Sequence, residues 1–276
     1  MDTSIKSIQD VRHYVVTKSN DLIQKSRFSL TTQQQKIVLY LISKIMPYDD
    51  DFKLYDFSIP DFCKICGIDY KNGKNYIDLK TTIQELTDKS LWVTLENGVE
   101  TVVRWIEKPY IDPGSGVISI RLDKDMKPYL LQLKENFTSY ELLYTLQFQS
   151  KYTIRIYELI KSVHFHELED YCHVFSLDEL KLRCDGEVYK EYRDFKRRVL
   201  LKAVNEINKY SDKTISIREI KRGRFVVAVE FQIRSKRGDE RWQVEHMVEK
   251  ILGTTEPTLW EQVQQLDERA ASNQPN

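Results

Sequence analysis

Cysteine and histidine are the residues of this sequence whose spacing first suggests chemistry. Cys63 and Cys66 form a Cys-x-x-Cys pair, which is half of a zinc site, and Cys172, His173 and Cys184 are the candidates for its other half. The spacing within that second group is irregular. A chain of 276 residues also needs no disulfides to stabilise it. We therefore expect buried, reduced thiols rather than a structural metal site.

The tripeptide His164-Phe165-His166 matches the metal-binding signature of nucleases that nick DNA through a tyrosine. Tyr189 or Tyr192 would then be the nucleophile, with Lys196 nearby. Those enzymes carry both histidines on a strand, where alternate residues share one face. Here the tripeptide directly follows a helical pattern and precedes an acidic one, and Tyr192 occupies a position expected in a core. A nicking endonuclease of rolling-circle replication is therefore the alternative hypothesis.

Nucleotide chemistry and membrane insertion are both disfavoured by the sequence. The chain has nine glycines, and none lies in a phosphate-binding GxxxxGK[ST] or GxGxxG pattern. We therefore predict a protein that is not an enzyme and needs no cofactor. No apolar run approaches the roughly 20 residues that span a bilayer, and the first ten residues lack a hydrophobic signal core. These features predict a cytoplasmic protein with no membrane partner.

Charge is unevenly distributed along a chain whose formal net charge is zero. Residues 187–241 hold 16 lysines and arginines against 9 acidic residues, a net charge of +7. Residues 242–276 hold 2 against 6, a net charge of −4. A basic block inside a neutral chain is typical of a protein that presents one face to phosphate.

The basic block contains the pattern of a helix followed by a hairpin. Residues 189–212 place an apolar stripe on one helical face, formed by Tyr192, Phe195, Val199, Ala203 and Ile207. Cations project from the rest of its N-terminal half, at Lys190, Arg193, Lys196, Arg197 and Arg198. Alternating strands then flank a turn with Lys221, Arg222, Gly223 and Arg224. A recognition helix and a basic wing have this order, although a solvated amphipathic helix would have the same spacing.

The two halves of the chain repeat one pattern. KIVLYLI at 36–42 aligns with TIRIYEL at 153–159, which places Tyr40 on Tyr157 at an offset of 117. Offsets of 118 and 116 relate FSIPDF to FSLDEL and YIDLK to YRDFK. Nearly constant offsets indicate a duplicated unit. We predict an α+β fold of two tandem winged-helix domains related by internal duplication, at residues 1–135 and 136–241, followed by an acidic, partly disordered tail at 242–276.

The sequence resembles the initiator Rep proteins of theta-replicating, iteron-type plasmids over roughly residues 14–235. Four segments carry the resemblance: KSNDLIQKSRFSLTTQQQKIVLYLI at 18–42, YTIRIYELI at 152–160, FKRRVLLKAVNEIN at 195–208 and KRGRFVVAVEF at 221–231. The last two are the most specific. The resemblance implies that the second domain is the main reader of direct repeats, or iterons, at the origin.

Carried onto this sequence, the resemblance places the start of the recognition helix at 190–198 and the wing at 221–224. At Glu191 this sequence departs from relatives, in which a basic residue can contact DNA at this place. First-domain DNA contacts would come from Lys71, Lys74 and Lys80. The nearby Asp69 and Asp78 partly offset their positive charge.

The implied partners are origin DNA, a second copy of the chain, and the host replication machinery. Monomers would bind iterons, open the origin and help to load the host replicative helicase together with host initiator proteins. Dimers formed through the first domain, whose strands exceed a minimal wing, would bind an operator and repress the protein's own gene. A winged-helix protein that acts only as a transcriptional repressor is a second alternative.

Overall fold

The structure, a computed structural model, describes residues 8–66, 73–95, 97–112, 114–164 and 170–253. Buried apolar side chains from both halves of the chain join in one contiguous core. Within the described ranges, no helix is both long and apolar enough to cross a membrane.

The first half of the chain forms a winged helix with additional strands. Its elements are α1 (Ile8–Arg12), β1 (Val15–Ser19), α2 (Asn20–Lys25), β2 (Ser26–Arg27), α3 (Thr32–Ile42), β3 (Tyr55–Ser58), α4 (Ile59–Cys66), α5 (Gly73–Thr87), β4 (Ser90–Thr94), β5 (Glu100–Arg104), β6 (Tyr110–Ile111), β7 (Val117–Ile120), a 3₁₀ turn (Lys124–Met126) and α6 (Lys127–Leu130). Its strands include two three-stranded antiparallel sheets, with strand orders β2-β4-β5 and β3-β7-β6.

The second half repeats the winged helix with one three-stranded sheet. After β8 (Phe137–Glu141) and α7 (Leu143–Leu146) come α8 (Lys151–Ser162), β9 (Tyr171–Ser176), α9 (Leu177–Arg183), α10 (Tyr192–Phe195), a π-helical turn (Lys196–Leu200), α11 (Leu201–Tyr210), β10 (Lys213–Arg222), β11 (Phe225–Ser235) and α12 (Gly238–Leu252). The strand order is β10-β11-β9. We call the continuous helical segment 192–210 the recognition helix.

The predicted duplication is confirmed by the order of the elements. Helix α3 corresponds to α8, β3 and α4 to β9 and α9, α5 to the recognition helix, and β4-β5 to β10-β11. The aligned tyrosines are equivalent in packing, since both are buried and both lie edge-on against phenylalanine rings. Tyr40 contacts Phe57 and Phe62 with ring centroids 5.4 and 5.5 Å away, and Tyr157 contacts Phe148 at 5.6 Å. Both tyrosines are thus buried and pack edge-on against aromatic rings of their own half of the chain.

Helix α3 shows how local sequence sets these elements. The Thr31 hydroxyl accepts a hydrogen bond from the Gln34 amide, and the Gln34 side chain accepts one from the Thr31 amide, which is a capping box. In the sequence, the spacing of Ile37, Leu41 and Ile45 predicts a helix that continues up to Pro47, and this prediction is wrong. The helix ends at Ile42, where the Ser43 hydroxyl donates to the Tyr40 carbonyl and closes the last turn.

A buried ion cluster joins the first domain to helix α8. Lys18 on β1 donates to Glu158 over 2.6 Å, and Tyr140 on β8 donates to the same carboxylate oxygen. Arg155, one turn earlier on α8, donates to the carbonyls of Ile23, Ser26 and Arg183 over 3.0 to 3.2 Å. Burial lowers the pKa of Lys18 and of Arg155 while Glu158 opposes that shift. The cluster therefore ties residues on both sides of the predicted boundary at 135.

Helix α12 packs back on the first domain. Arg12 on α1 is fully buried and donates to Glu249 over 2.5 Å and to the carbonyls of Ile65 and Leu252 over 2.9 and 3.3 Å. The segment predicted as an acidic tail after residue 241 thus begins with an ordered helix. The remainder of that prediction, beyond residue 253, falls outside the described residues. The two predicted boundaries, after residues 135 and 241, stay predictions, and β1 pairs with β8 across the first of them.

Candidate DNA interface

The recognition helix is fixed to the core by the stripe that its periodicity predicts. Phe195, Val199, Ala203 and Ile207 are all fully buried. Tyr192 differs, because it is partly exposed and its hydroxyl donates to Glu219 over 3.1 Å. One π-helical turn over Lys196–Leu200 interrupts the α-helix, a feature that is frequent at functional sites.

The turn before the recognition helix depends on a glycine. A Cβ atom built on Gly186 would lie 2.6 Å from the Phe195 ring, closer than any side chain tolerates. The Gly186 amide donates to the Lys181 carbonyl over 2.7 Å, and this hydrogen bond closes the end of α9. The absence of a side chain at Gly186 therefore lets this turn pack directly on the residue that anchors the helix.

Most of the predicted cations of the recognition helix face solvent. Lys190, Arg193, Arg197 and Arg198 are exposed, while Lys196 is partly buried. Arg197 pairs with Asp194 over 3.1 Å on the helix surface, where its side chain remains 65% exposed. Glu191, the N-cap residue, makes no side-chain capping hydrogen bond and is also exposed. A cationic surface therefore covers the first turns of the helix.

The basic hairpin is confirmed as a long wing with a two-residue loop. Arg222 pairs with Phe225, so Gly223 and Arg224 form the turn, and Gly223 has the positive φ of +61° that this turn requires. Lys221, Arg222 and Arg224 are exposed. The Arg224 guanidinium lies 5.0 Å from the Phe225 ring centroid, at a tip where Phe225 is itself exposed.

One carboxylate links the recognition helix to the wing. Glu219 on β10 accepts a 2.7 Å hydrogen bond from Lys196, and its other oxygen lies 3.6 Å from the Lys221 ammonium. The hydrogen bond from Lys196 holds the pKa of Glu219 below its ordinary value. The contact shows that cations of the helix and of the wing lie on one face. The sequence patterns do not predict this contact of Glu219, because an acidic residue in an alternating strand is normally expected to be solvated.

The first domain has a smaller cationic surface beside α5. Lys80 is exposed on this helix, Lys74 belongs to it, and Lys71 lies outside the described residues. Lys80, Arg104 and Lys108 line one groove of about 740 Å³, together with Asp88 and Asp123. Arg104 and Lys108 were missed by the sequence analysis. The exposed, alternating side of β5 was the signal that could have found Arg104.

The cysteines are free and do not converge with histidines in the described parts of the chain. Cys63, Cys66 and Cys184 are buried, and Cys172 is exposed on β9. Burial raises the pKa of Cys66 and of Cys184 to about 12, as expected for thiols that serve as apolar packing. No three His, Cys, Asp or Glu side chains of the described ranges are grouped so that they could hold a metal.

The tyrosines of the nicking hypothesis are engaged in packing contacts. The Tyr189 hydroxyl accepts from Tyr152 over 3.3 Å, and that of Tyr192 donates to Glu219. The His164 ring stacks on Tyr171 with 3.8 Å between centroids, and His166 lies outside the described residues. The described geometry thus gives Tyr189 and Tyr192 structural contacts.

Two family profiles match consecutive parts of the chain. Residues 15–161 match the family described as Initiator Replication protein, WH1, and residues 176–233 match Initiator Rep protein, WH2. The matched regions correspond to the two winged helices. The first profile extends to residue 161 and so includes α8, which the sequence analysis placed in the second domain.

Individual relatives agree with the profiles. A replication initiation protein of Escherichia coli is 27% identical over 232 residues, which are 79% of this chain and 69% of the relative. The PI protein of Escherichia coli is 30% identical over 124 residues, 40% of each chain. The crystal structure of Pi initiator protein in complex with iteron DNA matches the fold with a TM-score of 0.66 and 18% identity, covering 82% of this chain and 99% of that one. The chain therefore belongs to the initiator Rep protein family, whose members carry two winged-helix domains.

Proposed function

We propose that this replication initiator binds the iterons of a plasmid origin through its second domain. The contact of Glu219 with both Lys196 and Lys221 carries the proposal, because it gathers cations of the recognition helix and the wing on one face. A winged helix that reads DNA uses these two elements together, with the helix in the major groove and positive side chains on phosphates. The Pi initiator protein, which shares the fold, was crystallised with iteron DNA and supports this proposal.

The recognition helix and the wing are expected to contribute to binding in different ways. If Arg197 makes two hydrogen bonds to a guanine edge, Arg197→Ala should cost about 1 to 3 kcal/mol on an iteron duplex and little on a random duplex. Lys221→Ala should weaken binding to both duplexes, and the loss of one phosphate contact should reduce the slope of log affinity against log salt by about 0.9. Titrations of both variants at several salt concentrations measure this difference.

The surface pair of Arg197 with Asp194 is the competing explanation for Arg197. Such exposed pairs contribute no more than about 1 kcal/mol to stability and have no dependence on DNA sequence. Asp194→Ala is the matched control, since it breaks the same pair and keeps the arginine. Equal losses of affinity for both duplexes in Arg197→Ala would assign sequence specificity to another part of the chain.

The first domain is proposed to add DNA contacts at Lys71, Lys74 and Lys80 and to form a homodimer. Lys80 lies on the groove that Arg104 and Lys108 also line, which supports a phosphate contact there. Strand β5 is the edge of its sheet, and Trp92 and Val102 pair across β4 and β5 with about half of each side chain exposed. Exposed apolar pairs beside a free strand edge favour self-association.

Charge placed on this apolar pair is expected to weaken the dimer. In sedimentation of the whole chain, Trp92→Glu should raise the dissociation constant of the dimer at least tenfold. The reason is that an unpaired charge buried in the contact costs about 1.4 kcal/mol or more. Trp242→Glu is the matched control, because Trp242 is also about half exposed but lies on α12. If both variants dimerise like the wild type, the contact lies elsewhere.

Origin opening, loading of the host helicase and repression of the protein's own gene complete the proposed function. In this proposal the monomer acts at the iterons, the dimer acts at the operator, and neither step is an enzymatic reaction of the chain. Footprinting of the DNA that flanks the gene tests it. Protection of direct repeats supports initiation, whereas protection confined to one inverted repeat would indicate a repressor only.

A further inference from the structure

We propose that Glu219 determines DNA specificity by holding Lys196 in one position on the recognition helix. The inference rests on the proposed iteron binding by the second domain. Glu219 is an acidic residue of the wing strand and would itself repel phosphate. In this inference it nevertheless helps the protein to distinguish the iteron from other DNA.

The geometry directs Glu219 to the helix rather than to solvent. One carboxylate oxygen accepts hydrogen bonds from both Lys196, at 2.7 Å, and Tyr192, at 3.1 Å. Only 23% of the Glu219 side chain is exposed. Its neighbour Arg218 lies on the other face of the strand and pairs with Glu230, as alternation along a strand requires. Glu219 therefore connects the wing strand to Tyr192 and Lys196, which lie one turn apart on the same side of the recognition helix.

Holding a lysine in place changes what it can contact. An unrestrained lysine is a point charge on a flexible stem and reaches phosphates of any sequence. The Lys196 ammonium is instead held by Glu219, and its side chain is 39% exposed. An ammonium held in one position can contact only DNA whose sequence lets the recognition helix dock in the matching position. The remaining charge of the group is small, because Glu219 offsets one of the two positive charges of Lys196 and Lys221.

The same hairpin provides a matched control. Glu230 on β11 pairs with Arg218 across the strands, with bonds of 2.6 and 3.0 Å. Glu219→Gln removes one negative charge from the wing and frees both Lys196 and Lys221. Glu230→Gln also removes one negative charge from the wing, and it breaks the pair with Arg218. It leaves the contact with the recognition helix intact. A difference between the two variants therefore measures the contact and not the net charge.

The experiment compares binding of both variants and the wild type to two duplexes, one direct repeat footprinted beside the gene and one scrambled repeat. Glu219→Gln is expected to raise affinity for the scrambled duplex about fivefold, the upper range for releasing one exposed ion pair. The salt slope on that duplex should steepen by about 0.9 for the phosphate contact that Lys196 gains. Affinity for the repeat should not rise, so the specificity ratio falls. Glu230→Gln should leave the ratio unchanged.

A second background tests whether Lys196 mediates the effect. With Lys196→Ala present, Glu219→Gln should raise affinity for the scrambled duplex no more than Glu230→Gln does. A full fivefold rise in that background, or equal responses of the two glutamine variants in the native background, would overturn the role of Glu219. Thermal melting of each variant checks that it is folded. A wild-type chain without preference for the repeat would instead overturn the proposed function together with this inference.

Discussion

Glu158→Ala is expected to lower the free energy of unfolding by about 3 to 5 kcal/mol, because it leaves a buried ammonium without its counter-charge. Lys18 and Glu158 are both almost fully buried and lie 2.6 Å apart. Tyr140 also loses the carboxylate that accepts the hydrogen bond from its hydroxyl. Burial already lowers the pKa of Lys18 against the opposing effect of Glu158, so the folded state of the variant favours loss of that proton.

Chemical denaturation of the variant and of two controls measures this effect. Asp21→Ala removes one partner of the exposed Lys25–Asp21 pair and should cost no more than about 1 kcal/mol. The double variant Lys18→Met with Glu158→Leu removes both charges and should recover most of the loss, because an apolar pair replaces a buried ion pair at little cost. A loss in Glu158→Ala as small as that in Asp21→Ala would show that water reaches the cluster.

Arg12→Ala is expected to have an effect of similar size, about 3 to 5 kcal/mol, and to loosen helix α12. Arg12 is fully buried and joins Glu249 on α12 to carbonyls at the end of α4. Without the guanidinium, the Glu249 carboxylate loses its 2.5 Å partner inside the protein, and the carbonyl of Ile65 loses a donor.

Hydrogen exchange along residues 238–252 distinguishes a local from a global effect. Protection should fall in α12 more than in the recognition helix, because the lost contacts attach α12 to the first domain. Arg27→Ala is the matched control, since Arg27 also pairs with a distant glutamate, Glu100, but its side chain is 37% exposed. Unchanged protection of α12 in Arg12→Ala would show that its apolar face alone holds the helix.

Local periodicity explains why much of the second domain could be predicted from sequence. The stripe from Phe195 to Ile207 repeats at four-residue intervals, and such spacing defines a buried helical face in almost any fold. The wing required only alternating residues around Gly223, whose positive φ a glycine accommodates best. The duplication was visible because the same core positions, such as Tyr40 and Tyr157, had to be filled twice.

The charged contacts could be found only in the tertiary structure. Arg12 and Glu249 are 237 residues apart in sequence, and Lys18 and Glu158 are 140 apart. A charged residue in an amphipathic pattern is interpreted as solvated. The pattern does not show the oppositely charged partner, distant in sequence, that would allow the residue to be buried. Glu219 is the same case on the face that is proposed to bind DNA, since its role depends on where the packing of β10 against the recognition helix places Lys196. The sequence by itself thus determined the two winged helices and their apolar faces, whereas the long-range pairing of charges was decided by tertiary packing.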